Sequence, residues 1–400
     1  MKKHYFRVQN LHMKKILYTL LTFSTITFSA QGKKFFESGE VKLQAPIEKI
    51  NMKFAYDLPF VQVMINGKPY NFLFDTGAPT VISSAIYEEL GLEKKHSSKV
   101  KDSQKNKQEQ IFTILPEMIV DKAVFKNVGA IVMDFGASEL SCFKMDGILG
   151  ANQMAKLAWK VNYEGNSLEA AENLSQFDLT GYDIVIPFDP KTQKTPIIKT
   201  KILDKKTELT FDTGFSGRLK VGENSYDPKK AGQSVEVYGT NSVGAYGAGK
   251  PASGYIFRLP ELALGNRSFA NEIANTGGSN LIGNDFFKNF VFILDWSGNK
   301  IYMKRIKNET IRLESFGFGY RFIDAKPTVA LVYQEENFPL RVGDSIISIN
   351  DVNLDNLNKE SACYYFLNKA EKGQNVIDLK IKREGKVMEM KLEKKEYLKG

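Results

Sequence analysis

Histidine, cysteine and tryptophan are scarce in this chain. Of 400 residues, three are His, two are Cys and two are Trp. His4 and His12 stand near the start, and His96 lies alone in a charged, solvated-looking stretch. No His-Glu-x-x-His occurs and no ligand pair has zinc spacing, which argues against metal-assisted hydrolysis. With His4 and His12 expected to leave with the first thirty residues, a serine or cysteine nucleophile would lack a histidine base other than His96. Cys142 and Cys363 fall in different expected domains, so a stabilising disulfide is not expected. Lys250 of the Gly-rich segment is followed by Pro251, so that segment is no P-loop. The one long apolar stretch, residues 16–30, is too short to read as a transmembrane span, and no second follows.

Acidic residues are missing from the start: none precedes Glu37. The formal charge is +9, but Lys2, Lys3, Arg7, Lys14 and Lys15 supply five of the positives. Beyond residue 30, fifty basic side chains face forty-six acidic ones. That balance gives no reason to expect a nucleic-acid partner. Lys14-Lys15 followed by ILYTLLTFSTITFSA reads as an export signal over residues 1–30, with Met13 as an alternative start. An exported protein, periplasmic or secreted, is expected, with no stable membrane span once the signal is removed.

What the chain has is a repeat. Asp75-Thr76-Gly77 and Asp212-Thr213-Gly214 each end a strand-like run, NFLFDTG at 71–77 and ELTFDTG at 208–214. DGILG (146–150) follows the first and SNLIG (279–283) the second. The two Asp residues are 137 positions apart, and Gly150 and Gly283 are 133 apart. Residues 148–168 align with 281–301 without a gap, each reading as strand, tight turn, strand. In that alignment Trp159 meets Phe292 and Met154 meets Phe287, pairs expected in a core. LPFVQVMINGKPYNFLF reads as a hairpin turning at Asn66-Gly67 and delivering Asp75 at its end. Residues 93–110 read as an exposed charged loop or ribbon. Residues 239–255, rich in Gly and Ser, are their rough counterpart and a candidate lid over substrate, with Gly244, Tyr246 and Gly247 as candidate contacts. The pattern changes at Leu313, beyond which short strands, a helix candidate at 361–373 and a closing hairpin make a unit of about ninety residues.

A repeated Asp on two facing loops suggests one chemistry. Two close carboxyls cannot both ionise cheaply, so one holds a proton while the other accepts one. A water activated by the ionised member can attack an amide carbonyl that the protonated member polarises. No metal, cofactor or nucleophilic side chain is required. Glycine admits backbone close to each carboxylate, and each threonine hydroxyl can fix the opposite loop.

These motifs resemble the two lobes of pepsin-like or retroviral-type aspartic proteases. More closely, residues 55–400 resemble bacterial retropepsin-like proteases with two such lobes and a C-terminal PDZ domain. The resemblance implies a mostly β fold of duplicated lobes forming a single-chain pseudo-dimer, followed by a PDZ-like α+β domain. It divides the chain into 31–166, 167–312 and 313–400. It implies Asp75 and Asp212 as the catalytic dyad, with Thr76, Thr213, Gly77 and Gly214 around them. Polypeptides are the implied substrates and a monomer the implied state. Gly317-Phe318-Gly319-Tyr320 matches the PDZ carboxylate-binding loop, which implies capture of a C-terminal peptide. Two positions depart: Ala78 and Phe215 stand where pepsin-like enzymes usually carry Ser or Thr. The alternative is an exported peptide-binding protein that kept the fold without the catalysis.

Overall fold

The computed structural model describes residues 18–19, 30–104, 106–136, 139–191, 193–240 and 242–400. Apart from residues 18, 19 and 30, the expected signal at 1–30 lies outside the described residues. The fold is β-rich, with two large mixed sheets of fourteen strands each among the described residues.

The turn chemistry sets the first part of the fold. Asn66 and Gly67 take left-handed backbone, with φ of 48° and 75°. They join strand Leu58–Ile65 to strand Lys68–Asp75 with Ile65 opposite Lys68. This register places Asp75 at the strand's last position. The strand Gly147–Gly150 then runs parallel beside it, with Gly150 opposite Asp75. Its other edge pairs antiparallel with Val81–Ser83.

The later segment repeats the pairing. Leu203 and Asp204, also left-handed, turn strand Pro196–Ile202 into Lys205–Phe211. Leu281–Ile282 lies parallel beside Thr210 and Phe211 and antiparallel to Leu219–Gly222. The two segments meet where Ala158–Asn162 pairs antiparallel with Phe290–Asp295. Ala158 faces Asp295 and Asn162 faces Val291. These contacts are reciprocal under the 133-residue offset. One apolar cluster runs through the junction and holds Phe74, Met154, Trp159, Phe211, Phe287 and Phe292. The Trp159 indole lies edge-on to Phe74 at 5.2 Å and donates to the Met154 carbonyl at 2.8 Å.

The charged segment 93–110 is not a loose loop. It forms most of a hairpin, Lys94–Lys101 and Lys107–Val120, with Val100 buried. His96 is not solvated as expected. Its ring stacks on Phe112 at 4.2 Å and meets Phe35 edge-on, and burial pushes its pKa down. The Gly-rich segment belongs to a second hairpin, Ser234–Gly239 and Ala252–Leu264. At its tip, Ser242–Gly244 pairs with Gly247–Ala248 and, on another edge, runs parallel to Tyr18–Thr19.

Residues 313–400 are joined to the rest by backbone hydrogen bonds. Strand Lys326–Tyr333 pairs with Phe318–Ile323 and also with Ser234–Gly239 of the second hairpin. Strands Ser345–Ile349 and Val376–Arg383 extend the same sheet, so it crosses the expected boundary at 313. The expectation against a disulfide is also overturned. Cys142 and Cys363 are bonded, with Cα atoms 4.9 Å apart. Helix Lys359–Asn368, which carries Cys363, packs on the turn Glu139–Phe143, and Phe143 meets Phe366 at 5.9 Å. Separation of 221 residues along the chain is no barrier once those elements dock.

Replacing Cys142 or Cys363 by Ser should lower unfolding stability by about 2–5 kcal/mol. Urea unfolding of each variant, against oxidised and reduced wild-type protein, measures this. Equal midpoints for all four samples would show that the bond contributes nothing.

Candidate active site

The repeated triplets meet. The Thr76 amide donates to Thr213 Oγ1 at 3.0 Å, and the Thr213 amide donates to Thr76 Oγ1 at 3.0 Å. Each hydroxyl donates onward into the other strand. Thr76 Oγ1 reaches the Phe211 carbonyl at 2.6 Å, and Thr213 Oγ1 the Phe74 carbonyl at 2.8 Å. Both threonines are fully buried, so these bonds are satisfied with no water in competition.

This brace sets Asp75 and Asp212 side by side at 0 % exposure. In each loop the glycine amide two residues on donates to the inner oxygen: Gly77 to Asp75 Oδ1 at 2.7 Å, Gly214 to Asp212 Oδ1 at 2.9 Å. A Cβ on Gly214 would lie 2.2 Å from Asp75 Oδ2, so only glycine lets the loops come this close. The outer oxygens, Asp75 Oδ2 and Asp212 Oδ2, are buried and, apart from the facing carboxyl, have no hydrogen-bond partner of normal geometry. One shared proton, or one small molecule between them, can satisfy both.

Burial is the main force on both acids. It pushes Asp75 up to about 7, against the pull of amide donors from Gly77, Ala78 and Gly214 and of the Asp212 side chain. Asp212 is pushed up further, by burial and then by the charge of Asp75, with opposing amide donors only from Gly214 and Phe215. The two acids titrate as a pair, and burial favours keeping a proton on it.

The later glycines belong to the same construction. A Cβ on Gly150 would lie 2.1 Å from the Pro79 carbonyl carbon, and one on Gly283 would lie 2.3 Å from the Phe215 carbonyl oxygen. The asparagines just after them escaped the sequence reading. Asn152 Oδ1 accepts from both the amide and the hydroxyl of Thr80 at 2.8 Å. Asn284 Nδ2 donates to the Thr213 carbonyl at 2.7 Å, and Tyr163 donates to Asn284 Oδ1 at 2.7 Å. Their signal was the Asn one or two places after each repeated glycine. Phe215 packs inward, fully buried against Leu281.

The other candidate residues divide. Gly244, Tyr246 and Gly247 sit at the tip of the second hairpin, which meets the tip of the first; the Tyr246 amide donates to Asp102 at 2.9 Å. Phe318, Gly319 and Tyr320 lie in the C-terminal sheet, and Gly317 forms the bend just before them. The Gly317 amide, expected to face a peptide carboxylate, donates to Ser315 Oγ at 3.0 Å instead. Phe318 and Tyr320 are buried, and Tyr320 donates to Glu371 at 2.8 Å. Arg321, one residue on, is held in a two-pronged ion pair by Glu139 of the docked turn, at 2.8 and 2.7 Å. No group of three or more His, Cys, Asp or Glu among the described residues is arranged to hold a metal.

Comparison with known families agrees with the first loop. Residues 61–152 match the family described as aspartyl protease. That stretch is a short aspartyl-protease-family domain. It takes in Asp75, the first hairpin, Gly150 and Asn152, while Asp212 lies beyond it. No curated protein matches the chain.

A raised carboxyl pKa favours folding below the unfolded value and loses that advantage as pH rises through the folded one. For Asp75 this window runs from about 3.8 to about 7. Asp75→Asn should accordingly be a few kcal/mol more stable than wild type at pH 7, and the gap should close as pH falls towards 4. Urea melts across that range measure it, and a gap independent of pH would contradict the assignment of the cost to burial of the ionised Asp75 carboxyl.

Proposed function

We propose that the chain is an exported aspartic endopeptidase with Asp75 and Asp212 as a single-proton dyad. The reciprocal bonds between Thr76 and Thr213 carry this reading, because they hold two buried carboxyls side by side with their outer oxygens unclaimed. The matching strand pairings around the two loops support reading them as duplicated lobes of a single-chain pseudo-dimer, with a monomer as the working unit.

In this mechanism the ionised Asp75 takes a proton from a water lying between the carboxyls. The water oxygen attacks the carbonyl carbon of an extended polypeptide. Protonated Asp212 donates a hydrogen bond to the carbonyl oxygen as negative charge grows on it. The tetrahedral intermediate collapses as Asp75 passes the proton it took from water to the amide nitrogen, and the C–N bond breaks to release the amine. Both acids then return to their starting states. No metal or cofactor takes part. The proposed export rests on the N-terminal sequence and is consistent with the Cys142–Cys363 bond, since disulfides persist in oxidising compartments.

For residues 313–400 we assign a PDZ-like unit whose role is support. Its strand Lys326–Tyr333 is bonded to the second hairpin, and the Gly317 amide is already engaged. Capture of a C-terminal peptide at Gly317–Tyr320 has less behind it. A chain ending before residue 313 should accordingly lose hydrolysis even of short peptides. A folded, truncated chain with unchanged short-peptide kinetics would return the C-terminal unit to substrate selection alone.

The dyad is tested by Asp75→Asn and Asp212→Asn. Each should lower kcat on cleavable peptides by about 10²–10⁴-fold while peptide binding is kept. An inhibitor mimicking the tetrahedral intermediate should bind wild type far more tightly than either variant. Near wild-type kcat in one variant would falsify the mechanism.

A further inference from the structure

The proposed mechanism does not use Asp102. This acid opens the tip of the first hairpin and is fully buried, although its surroundings in sequence are strongly charged. One of its oxygens serves its own turn. Oδ1 accepts from the amides of Gln104 and Asn106, both at 2.9 Å. An aspartate that only shaped its turn would need no more than that. The second oxygen makes its shortest bond outside the turn: Oδ2 accepts the Tyr246 amide from the tip of the other hairpin at 2.9 Å, against 3.5 Å from Asn106 Nδ2 of its own turn.

Other contacts fit the same purpose. Asn106 Nδ2 reaches the carbonyls of Gly247 and Ala248 at 3.4 and 3.3 Å. Opposite Asp102 stands Gly244, where a Cβ would lie 2.4 Å from Oδ2. Gly244 does not have a positive φ, so its lack of a side chain answers to the neighbouring tip, not to its own backbone. Behind the tips, Val100 and Ala245 share one apolar cluster with Ala78 and Val81, which follow the Asp75 loop. The joined tips thus belong to the same apolar core as the residues that follow the Asp75 loop.

We propose that Asp102 is a positioning residue that ties the two hairpin tips into one roof, so that both close on a bound polypeptide together. The physical reason is the cost of burying a carboxylate. In this closed arrangement Oδ2 has a backbone donor only while Tyr246 is opposite it, so partial separation leaves a desolvated acceptor poorly paired. Closure is then favoured as a whole or not at all. This rests on the proposed peptidase reading for its consequence in catalysis, but the tie itself does not.

Two variants test it from opposite sides. Asp102→Asn has one acceptor oxygen; if that serves Gln104 and Asn106, its NH2 group confronts the Tyr246 N–H. Gly244→Ala leaves the carboxylate intact and wedges the tips apart. Hydrogen exchange on the full-length protein should show the Tyr246 amide exchanging at least about tenfold faster in both variants, with protection kept at the Asp75 and Asp212 loops. Peptide hydrolysis should show KM raised several-fold with kcat changed much less, since the dyad is untouched. Unchanged exchange at Tyr246 in both variants overturns the tie. Faster exchange with unmoved KM overturns the positioning role. A wild-type protein that cleaves no peptide would sink the peptidase reading and leave the exchange result to decide the tie.

Discussion

The exchange of hydrogen bonds between Thr76 and Thr213 is the constraint on which the rest of the structure depends. Each hydroxyl accepts one amide and donates to one carbonyl, all across the junction and all buried. Replacing either by Val would keep the volume but leave an amide and a carbonyl unpaired, each at about 1–3 kcal/mol. The strands Lys68–Asp75 and Lys205–Phe211 must end at matched positions for this to work. That in turn fixes the registers of their hairpins and of the short parallel strands beside them. The glycines at 150 and 283 follow from the same demand, because those strands pass within contact of the loops.

The brace holds an arrangement that would not form by attraction. Two carboxyls buried together repel when both are charged, and burial alone disfavours charge on either. The packed aromatic junction around Trp159, Phe211 and Phe292 supplies favourable burial, on the order of 1.5–3 kcal/mol for each large side chain. Geometry and core thus offset a local electrostatic cost at the point where the two acids meet. The two loops differ in their donors, with three neighbouring amides at Asp75 and two at Asp212, and Phe215 adds no hydroxyl to the second.

What was legible in the sequence was local or periodic. The turn at Asn66-Gly67, the arrival of Asp75 at a strand end and the doubled triplet are all written within a few residues, because turn chemistry and alternation act over that range. That Trp159 and Phe292 share the core could be read because the repeat carries its own alignment. Asp102 could not, since its partner Tyr246 is 144 residues away and a charged ribbon looks solvated on composition alone. His96 misled for the same reason: its neighbours in sequence are polar, but its neighbours in space are Phe35 and Phe112. Cys142 and Cys363 were kept apart by an assumed domain boundary that says nothing about docking.

That docking changes what the C-terminal residues mean for the whole. One side of the unit continues the second hairpin's sheet through Lys326–Tyr333. The other side is fastened to the first half by the disulfide and by the ion pair between Arg321 and Glu139. The turn Glu139–Phe143 lies just before Gly147–Gly150, the strand that runs beside Asp75. A unit anchored at both places spans the two halves independently of the threonine brace. The brace fixes the floor where the acids sit, and the span limits how far the walls above it can separate. A hairpin bonded along its root and tied at its tip to the neighbouring hairpin can move only together with that neighbour, as a lever on the root.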